Sequence, residues 1–527
     1  MIALCALWTL LGLMGHDPWK SDEAYNFGLV YSILQGSDWV IPMLAGEPFV
    51  ENPPLYYLTA AALAQMFSGW LPLHDGARLA SGLYMGLTLI FTGLTGRELW
   101  GKGYGRITAL IMIACFGLVV RTHQLITDTA LLAGVAIALY GLALAPRRPA
   151  IAGVIIGSGM GIGFMSKGLF EPGVIALTAL LLPLLSSAWR SRRYAMCLAI
   201  ALIAALPWLT VWPFLLYQRA PELFMEWLWA NNLGRLTGAT PLLTGHQPGY
   251  YLTILPWFAW PALPLALWTL WRHNWKEGLV PAIALPLTAF LVTLLILSTA
   301  VMARDVYALP LLPPLAILAS AAVISLRRGA ANSLDWFSVM TFSLFTGLLW
   351  LGWVATLTGY PAEVAHWFDK RQPGYIVHFS GLALFFAIAL SITWLAVVAR
   401  MKRGALRGIV NSALGITLVW GLLATIWLPW LDADKSYRAI FSSLQNILPP
   451  NFNCISSKQL GEPQRALLHY FAGTITLREE IDDNHCELKL IQGSANLQEQ
   501  PGPGWKLIWQ GRRHGNNPEL YSLFHKR

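Results

Sequence analysis

The sequence predicts a polytopic α-helical membrane protein that ends in a small soluble α/β unit. Three observations predict it. The chain is 56% hydrophobic and 12% charged, against about 25% charged residues for a soluble chain. Apolar runs near the roughly 20 residues that cross a bilayer recur along most of its length. From Leu431 onward these runs stop, and alternating stretches (Glu487–Ile491, Trp505–Trp509) and the turn clusters PGPG and GNNP replace them.

Taken in order, the apolar runs predict about thirteen spans: 1–15, 76–96, 107–120, 127–145, 151–165, 173–189, 195–217, 250–271, 279–299, 306–325, 335–358, 375–399 and 408–430. The first run lacks a basic start and a small-residue cleavage site, so it is expected to stay as a span. Loops after the even-numbered spans are basic: Arg97, Lys102 and Arg106, then Arg147 and Arg148, then the pairs and triplets down to Arg407. Positive loops face the cytoplasm. The sequence therefore predicts a cytoplasmic N-terminus and residues 431–527 as an outer, periplasmic α/β domain following a 1–430 transmembrane domain. The net charge of +9 is mainly this topology signal, which argues against a nucleic-acid partner. Cys454 and Cys486 both fall in the tail, where an oxidising compartment permits a disulfide; Cys5, Cys115 and Cys197 lie in apolar spans as packing residues.

The opposite loops carry the chemistry. The first, 16–75, holds Asp22, Glu23 and Glu51. Later ones hold Arg121 and Asp128, then Lys167 and Glu171, then Asn231, Asn232, Arg235, His246 and Tyr250, then Arg304, Asp305 and Tyr307. Ionisable groups at membrane depth are costly and are functional candidates by default. Residues 22–35 predict an amphipathic interface helix with Tyr25, Leu29, Ser32 and Ile33 near one face. The helix dipole stabilises Asp22 and Glu23 at its start, although an acidic pair there also serves as a plain cap. Pro53 and Pro54 stiffen the chain and suit the first turn of a second interface helix, LYYLTAAALAQMF, leaving Glu51 and Asn52 at the joint. Asp128 opens a span, as a cap or a catalytic acid. Lys167 closes one, as a snorkelling or a phosphate-binding cation. The chain has no Walker loop and no strand-bound GxGxxG, so no nucleotide cofactor is expected. A phosphate-linked lipid donor accounts for cations and interface helices together.

At these residues the sequence resembles a known family. DEAYNFGLVYSILQGSDWVIPMLAGEPFVENPPLYYL is similar to the first periplasmic loop of the ArnT-like glycosyltransferases of the GT-C superfamily, relatives of the protein O-mannosyltransferases. DGARLASGL, QLITDTALL, GFMSKGLF, NNLGRL, HQPGYYL and ARDVYALPLLPPLAIL follow in the family's order, so the likeness covers about residues 20–325. The resemblance implies a GT-C fold and transfer of a sugar from a polyprenyl-phosphate donor to lipid A or another envelope glycan or lipid, at the periplasmic face of a bacterial inner membrane. It implies Asp22 and Asp128 as the catalytic acids, with Glu23 beside them, and Glu51 and His246 as positions able to hold a divalent metal. Lys167, Arg235, Arg304 and Arg121 become candidates for phosphate binding, and Tyr56, Tyr57, Tyr250 and Tyr307 for the sugar or lipid pocket. Two positions depart from the family: Tyr25 stands where it has an arginine, and Asn52 where it has a lysine. The rival readings are a protein O-glycosyltransferase of the same superfamily and a flippase for a lipid-linked sugar; a flippase calls for broken helices or repeats near the midplane.

Overall fold

The structure is a computed structural model that describes residues 1–234, 249–300, 303–481, 485–494, 501–502, 504–513 and 519–527. Among these residues, seven helices are long and apolar enough to cross a membrane, or up to ten if each of three bent helix pairs counts as one span.

The bundle nearest the N-terminus is assembled on small residues. The helices α1 (Ile2–Leu10), α2 (Asp22–Leu34) and α3 (Leu55–Phe67) precede the long α4 (Leu73–Trp100). The bent pair α5 (Tyr104–Ala114) and α6 (Phe116–Val119) leads to α7 (Asp128–Leu144), α8 (Pro149–Lys167), α9 (Phe170–Leu185) and α10 (Arg192–Arg219). In α8, Gly153 and Gly157 meet α10, where an added Cβ at Gly153 would lie 2.6 Å from the Cys197 carbonyl. Gly159 faces α7 on the other side, where an added Cβ would lie 2.7 Å from the Ala138 nitrogen and 2.8 Å from the Gly134 carbonyl. Helices that exclude each other only through backbone can pack this closely in lipid, where no hydrophobic force drives them together. Because α7 runs antiparallel to α8, the start of one and the end of the other lie at the same level, which brings Asp128 beside Lys167.

Three predicted spans are broken, one of them 408–430, where Arg407–Leu423 and Leu428–Lys435 are bent by 60°. Residues 107–120 split into α5 and α6, bent by 72°, because Cys115 between them is extended (φ −70°, ψ 121°). Residues 250–271 split into Tyr250–Phe258 and Ala262–Arg272, bent by 98°; Pro261 lies in the break and has no N–H to continue a helix.

The first long loop forms the predicted helices, with one change in setting. α2 begins at Asp22 and α3 covers LYYLTAAALAQMF as expected. α2 does not lie on an open interface, however. Glu23, Ala24, Asn26, Phe27, Gly28, Leu29, Val30 and Ser32 are all buried, because the tail packs over it. Gly28 permits this: a Cβ there would lie 2.5 Å from that of Ala466. Between α2 and α3 a short hairpin pairs β1 (Met43–Leu44) with β2 (Glu47–Pro48).

The tail builds a five-stranded sheet from β3 (Ile455–Lys458), β4 (Leu477–Arg478), β5 (Leu488–Ser494), β6 (Trp505–Arg513) and β7 (Glu519–Lys526), in the order β4-β3-β5-β7-β6. β3 is parallel to β4 and β5, while β7 is antiparallel to both β5 and β6. The helix Glu462–Ala472 supplies the crossover between β3 and β4 and turns Ala466, Leu467 and Leu468 into buried contacts. Cys454 and Cys486 are joined as a disulfide.

Candidate active site

The structure brings the acids and cations of separate loops to one cleft. An opening that encloses about 860 Å³, mouth included, has Glu51, Asn52, Asp128, Lys167, Asn231, Asn232 and Tyr307 on its polar side. Leu131, Leu169, Phe170, Ile296, Leu297 and Ala300 form its apolar side. The arrangement suits an amphipathic molecule with a polar group at one end.

Asp128 is 5% exposed. Its Oδ2 lies 3.0 Å from the Lys167 ammonium, and its Oδ1 is buried without a hydrogen-bond partner among the described residues. Asp22 pairs with the Arg304 guanidinium. Both cations stand over one aromatic face: Lys167 Nζ is 5.6 Å and the Arg304 guanidinium carbon 5.7 Å from the Tyr307 ring centre, within cation–π range. Two acids, two cations and one tyrosine therefore form a single electrostatic unit assembled from four segments of the chain.

The other candidates divide. Tyr25 is close enough to Glu51, Asp22 and Asp128 to feel their charges: burial first, then Glu51, pushes its phenol well above the usual tyrosine range. It stays a neutral O–H group and cannot supply the positive charge of the family's arginine. Arg121 is held by Asp305, with Nη2 2.9 Å from each carboxylate oxygen, and does not line the cleft. Tyr56 and Tyr57 are fully buried in the packing of α3, and Tyr250 lies outside the cleft wall. Arg235 and His246 lie outside the described residues.

Glu23 faces away from the cleft. Its carboxylate accepts from Arg78 Nε at 2.5 Å, from the Trp19 amide at 3.1 Å and from the Leu125 amide at 3.2 Å. Burial alone would raise this carboxyl, but Arg78, helped by the Trp19 amide, lowers it below the usual glutamate range. The bonds tie the segment that carries Asp22 to the segment that leads into Asp128. Arg78 in turn donates to Asp75 at 2.6 Å, and Asp75 accepts from the Gly15 amide at 3.0 Å. Sequence reading gave Arg78 no role, although it lies in the quoted stretch DGARLASGL. It also left Asn232 out of the site. That amide accepts from Leu169 at 3.0 Å and donates to the Trp227 carbonyl at 2.8 Å, which fixes the cleft wall.

No group of three or more His, Cys, Asp or Glu side chains able to hold a metal occurs among the described residues. Of the two metal candidates, Glu51 lines the cleft.

The chain is a bundle of apolar helices with two loop helices, a capping α/β tail and this cleft between them, and comparison with known proteins narrows that class. Residues 51–212 match the family model described as dolichyl-phosphate-mannose-protein mannosyltransferase. A relative named undecaprenyl phosphate-alpha-4-amino-4-deoxy-L-arabinose arabinosyl transferase, from Pseudomonas paraeruginosa (strain DSM 24068 / PA7), is 26% identical over 62% of this chain. One of the same name from Pseudomonas savastanoi pv. phaseolicola (strain 1448A / Race 6) is 26% identical over 67%. The chain spans 59% and 66% of these two relatives' own lengths. The crystal structure of ArnT from Cupriavidus metallidurans bound to undecaprenyl phosphate shares the fold, with a TM-score of 0.69 at 16% identity over 99% of this chain and 96% of that one. The chain is thus similar in sequence to the ArnT-like glycosyltransferases and has their fold.

Proposed function

We propose that this protein is a glycosyltransferase that moves a sugar from a polyprenyl-phosphate donor to lipid A or a related envelope glycolipid at the periplasmic face of the inner membrane. The observation that carries the reading is the electrostatic unit over Tyr307, set at the polar end of an apolar cleft. The polyprenyl chain lies along Leu131, Leu169, Phe170 and Ile296, and the phosphate meets Lys167 and Arg304. Each cation then exchanges a carboxylate partner for phosphate oxygens, which frees that carboxylate at the moment the donor binds.

Asp22, released from Arg304, orients the acceptor hydroxyl and takes its proton as the oxygen attacks the anomeric carbon. The bond from that carbon to the phosphate oxygen breaks on the opposite face, so the configuration inverts. Lys167 and Arg304 stabilise the charge that develops on the departing polyprenyl phosphate. Asp128, released from Lys167, supports the positive charge that develops on the sugar. Glu23 acts through Arg78 and the Leu125 amide to set the distance between the two acids. Glu51 would be one ligand to a divalent cation in the cleft, where such an ion would help neutralise the departing phosphate.

The relatives' aminoarabinose donor is the donor of choice for this chain, with Tyr25 and Asn52 altering how its phosphate is held. The thirteen-span reading accommodates the helices as found: the seven long spans, the three bent pairs, α7, α9 and α1. The basic loops then face the cytoplasm, and the disulfide supports placing the tail outside. Mass spectrometry of envelope glycolipids from a deletion strain and its parent tests the reading. The expected result is loss of one sugar substituent; identical glycolipid, glycan and glycoprotein profiles would overturn it.

A further inference from the structure

A further cavity, enclosing about 1160 Å³ with its mouth, opens at the end of the bundle away from the tail. The length of α4 sets that distance. His74, in its first turn, is hydrogen-bonded to Tyr470 of the tail at 3.0 Å, and the helix runs 28 residues to Trp100, about 42 Å at the usual helical rise. A bilayer with its headgroups is about 40–45 Å thick. The turn after α4, and Lys102 in it, therefore stand at headgroup level on the face opposite the tail.

This cavity is apolar within and basic at its edge. Leu4 of α1, Leu110 of α5, Ile324 of the helix Leu312–Ser325, and Val410 and Leu414 of the helix Arg407–Leu423 form its walls. Ile324 is 56% exposed, so the gap between these four helices is open on its outer side. Lys102 and Arg106 stand at the edge, and no carboxylate lines it. Both cations are exposed, and neither forms an ion pair among the described residues. The acids at this end are spent elsewhere, Glu98 on Arg147 at 2.8 Å and Asp335 on Arg407 at 3.3 Å. A small anion would use the cations and leave the apolar walls uncovered. A neutral lipid would cover the walls and leave the cations unused. An acidic phospholipid satisfies both: its phosphate meets Lys102 and Arg106, and an acyl chain covers the walls. Basic pockets between membrane helices take acidic headgroups in this way.

We propose that this cavity holds an acidic phospholipid of the leaflet opposite the tail, with its phosphate on Lys102 and Arg106 and one acyl chain between α1, α5 and the two later helices. The lipid completes the packing around α1, which the protein's own side chains leave open. It is distinct from the donor lipid, since this cavity and the cleft share no residue. Its basis is the membrane bundle and not the transferase reading.

Native mass spectrometry of the purified full-length protein tests this. Delipidated protein in neutral detergent is mixed with equal amounts of phosphatidylglycerol and phosphatidylcholine carrying the same acyl chains. The wild type is expected to retain phosphatidylglycerol at least about tenfold more strongly than phosphatidylcholine, the worth of two basic side chains at an anionic headgroup. Lys102→Gln with Arg106→Gln removes that preference. Lys402→Gln with Arg403→Gln, at an exposed basic pair outside the cavity wall, keeps it. Val410→Trp, which fills the gap and keeps both cations, lowers phosphatidylglycerol retention at least about tenfold. Equal retention of the two lipids by the wild type overturns the inference. So do a preference that survives in the Lys102 and Arg106 variant, an equal loss in the Lys402 and Arg403 variant, undiminished retention by Val410→Trp, and displacement of the lipid by glycerol 3-phosphate at equal concentration. Sugar transfer is read in none of these arms, so their outcome is independent of the transferase reading.

Discussion

At the scale of single residues, the account turns on which charges are held by the protein and which are available to a substrate. Arg121 is spent on Asp305, whereas Lys167 and Arg304 hold acids that line or border the cleft. Lys167→Met should therefore weaken undecaprenyl phosphate binding by at least about tenfold, while Arg121→Met should leave it within about twofold; equilibrium binding in detergent checks both. Arg78→Met leaves the fully buried Glu23 carboxylate unpaired and should cost about 3–5 kcal/mol, seen as a fall in thermal midpoint. Sequence reading named Asp22, Asp128, Lys167, Arg304 and Tyr307, which the structure brings together, because an ionisable or aromatic side chain beside an apolar run is visible in one dimension. It could not tell that Glu23 turns inward while its neighbour Asp22 turns to Arg304. That choice is made by donors from distant segments, Arg78 and the Leu125 amide.

A pH response belongs to the same buried junction. Burial and the nearby Arg78 push the His16 imidazole down to about 4, against about 6.5 for a free histidine. An unfolded chain then takes up a proton between those values and the folded one does not, so the stability from neutral His16 is complete above about 6.5 and is lost as pH falls toward 4. Asp17 and Glu23, both lowered, lose their contributions at still more acid pH, in the same direction. The thermal midpoint should fall as pH drops from about 6.5 to about 4, and His16→Asn should flatten that part of the profile.

At the scale of elements, the site depends on helices that meet through small residues. The α7–α8 contact at Gly134 and Gly159 fixes Asp128 against Lys167. Gly159→Leu forces the helices apart and should reduce transfer and lower the thermal midpoint together, whereas Gly173→Leu, at a position open on its outer side, should do neither. Helix existence was legible from hydrophobic runs, and α2 and α3 were legible almost to the residue. The breaks at Cys115 and Pro261 were not, since an apolar run continues through each. The repeated glycines of α8 were present in the sequence as Gly153, Gly157 and Gly161, but which helix each face meets depends on the order of the bundle.

At the scale of the whole molecule, the tail is part of the machine and not an appendage. It covers α2 through Ala466 and reaches Asp17 with Arg438. Of the tail's strands, β5 and β6 were legible from alternation; its docking against the loop that carries α2 was not, because it joins residues several hundred positions apart through contacts such as Gly28 to Ala466. The Cys454–Cys486 bridge closes a loop of 32 residues. Replacing both cysteines with serine should cost the tail about 2–4 kcal/mol and increase proteolysis there before the bundle is affected.

The central claim is that Asp22 does chemistry while the pocket around it binds. The most direct test is the rate of sugar transfer from an undecaprenyl-phosphate donor to lipid A by purified Asp22→Asn in lipid vesicles, measured beside the wild type. The account predicts a rate lower by at least about a hundredfold, with undecaprenyl phosphate binding and thermal midpoint close to wild type. A variant that transfers at the wild-type rate would contradict it.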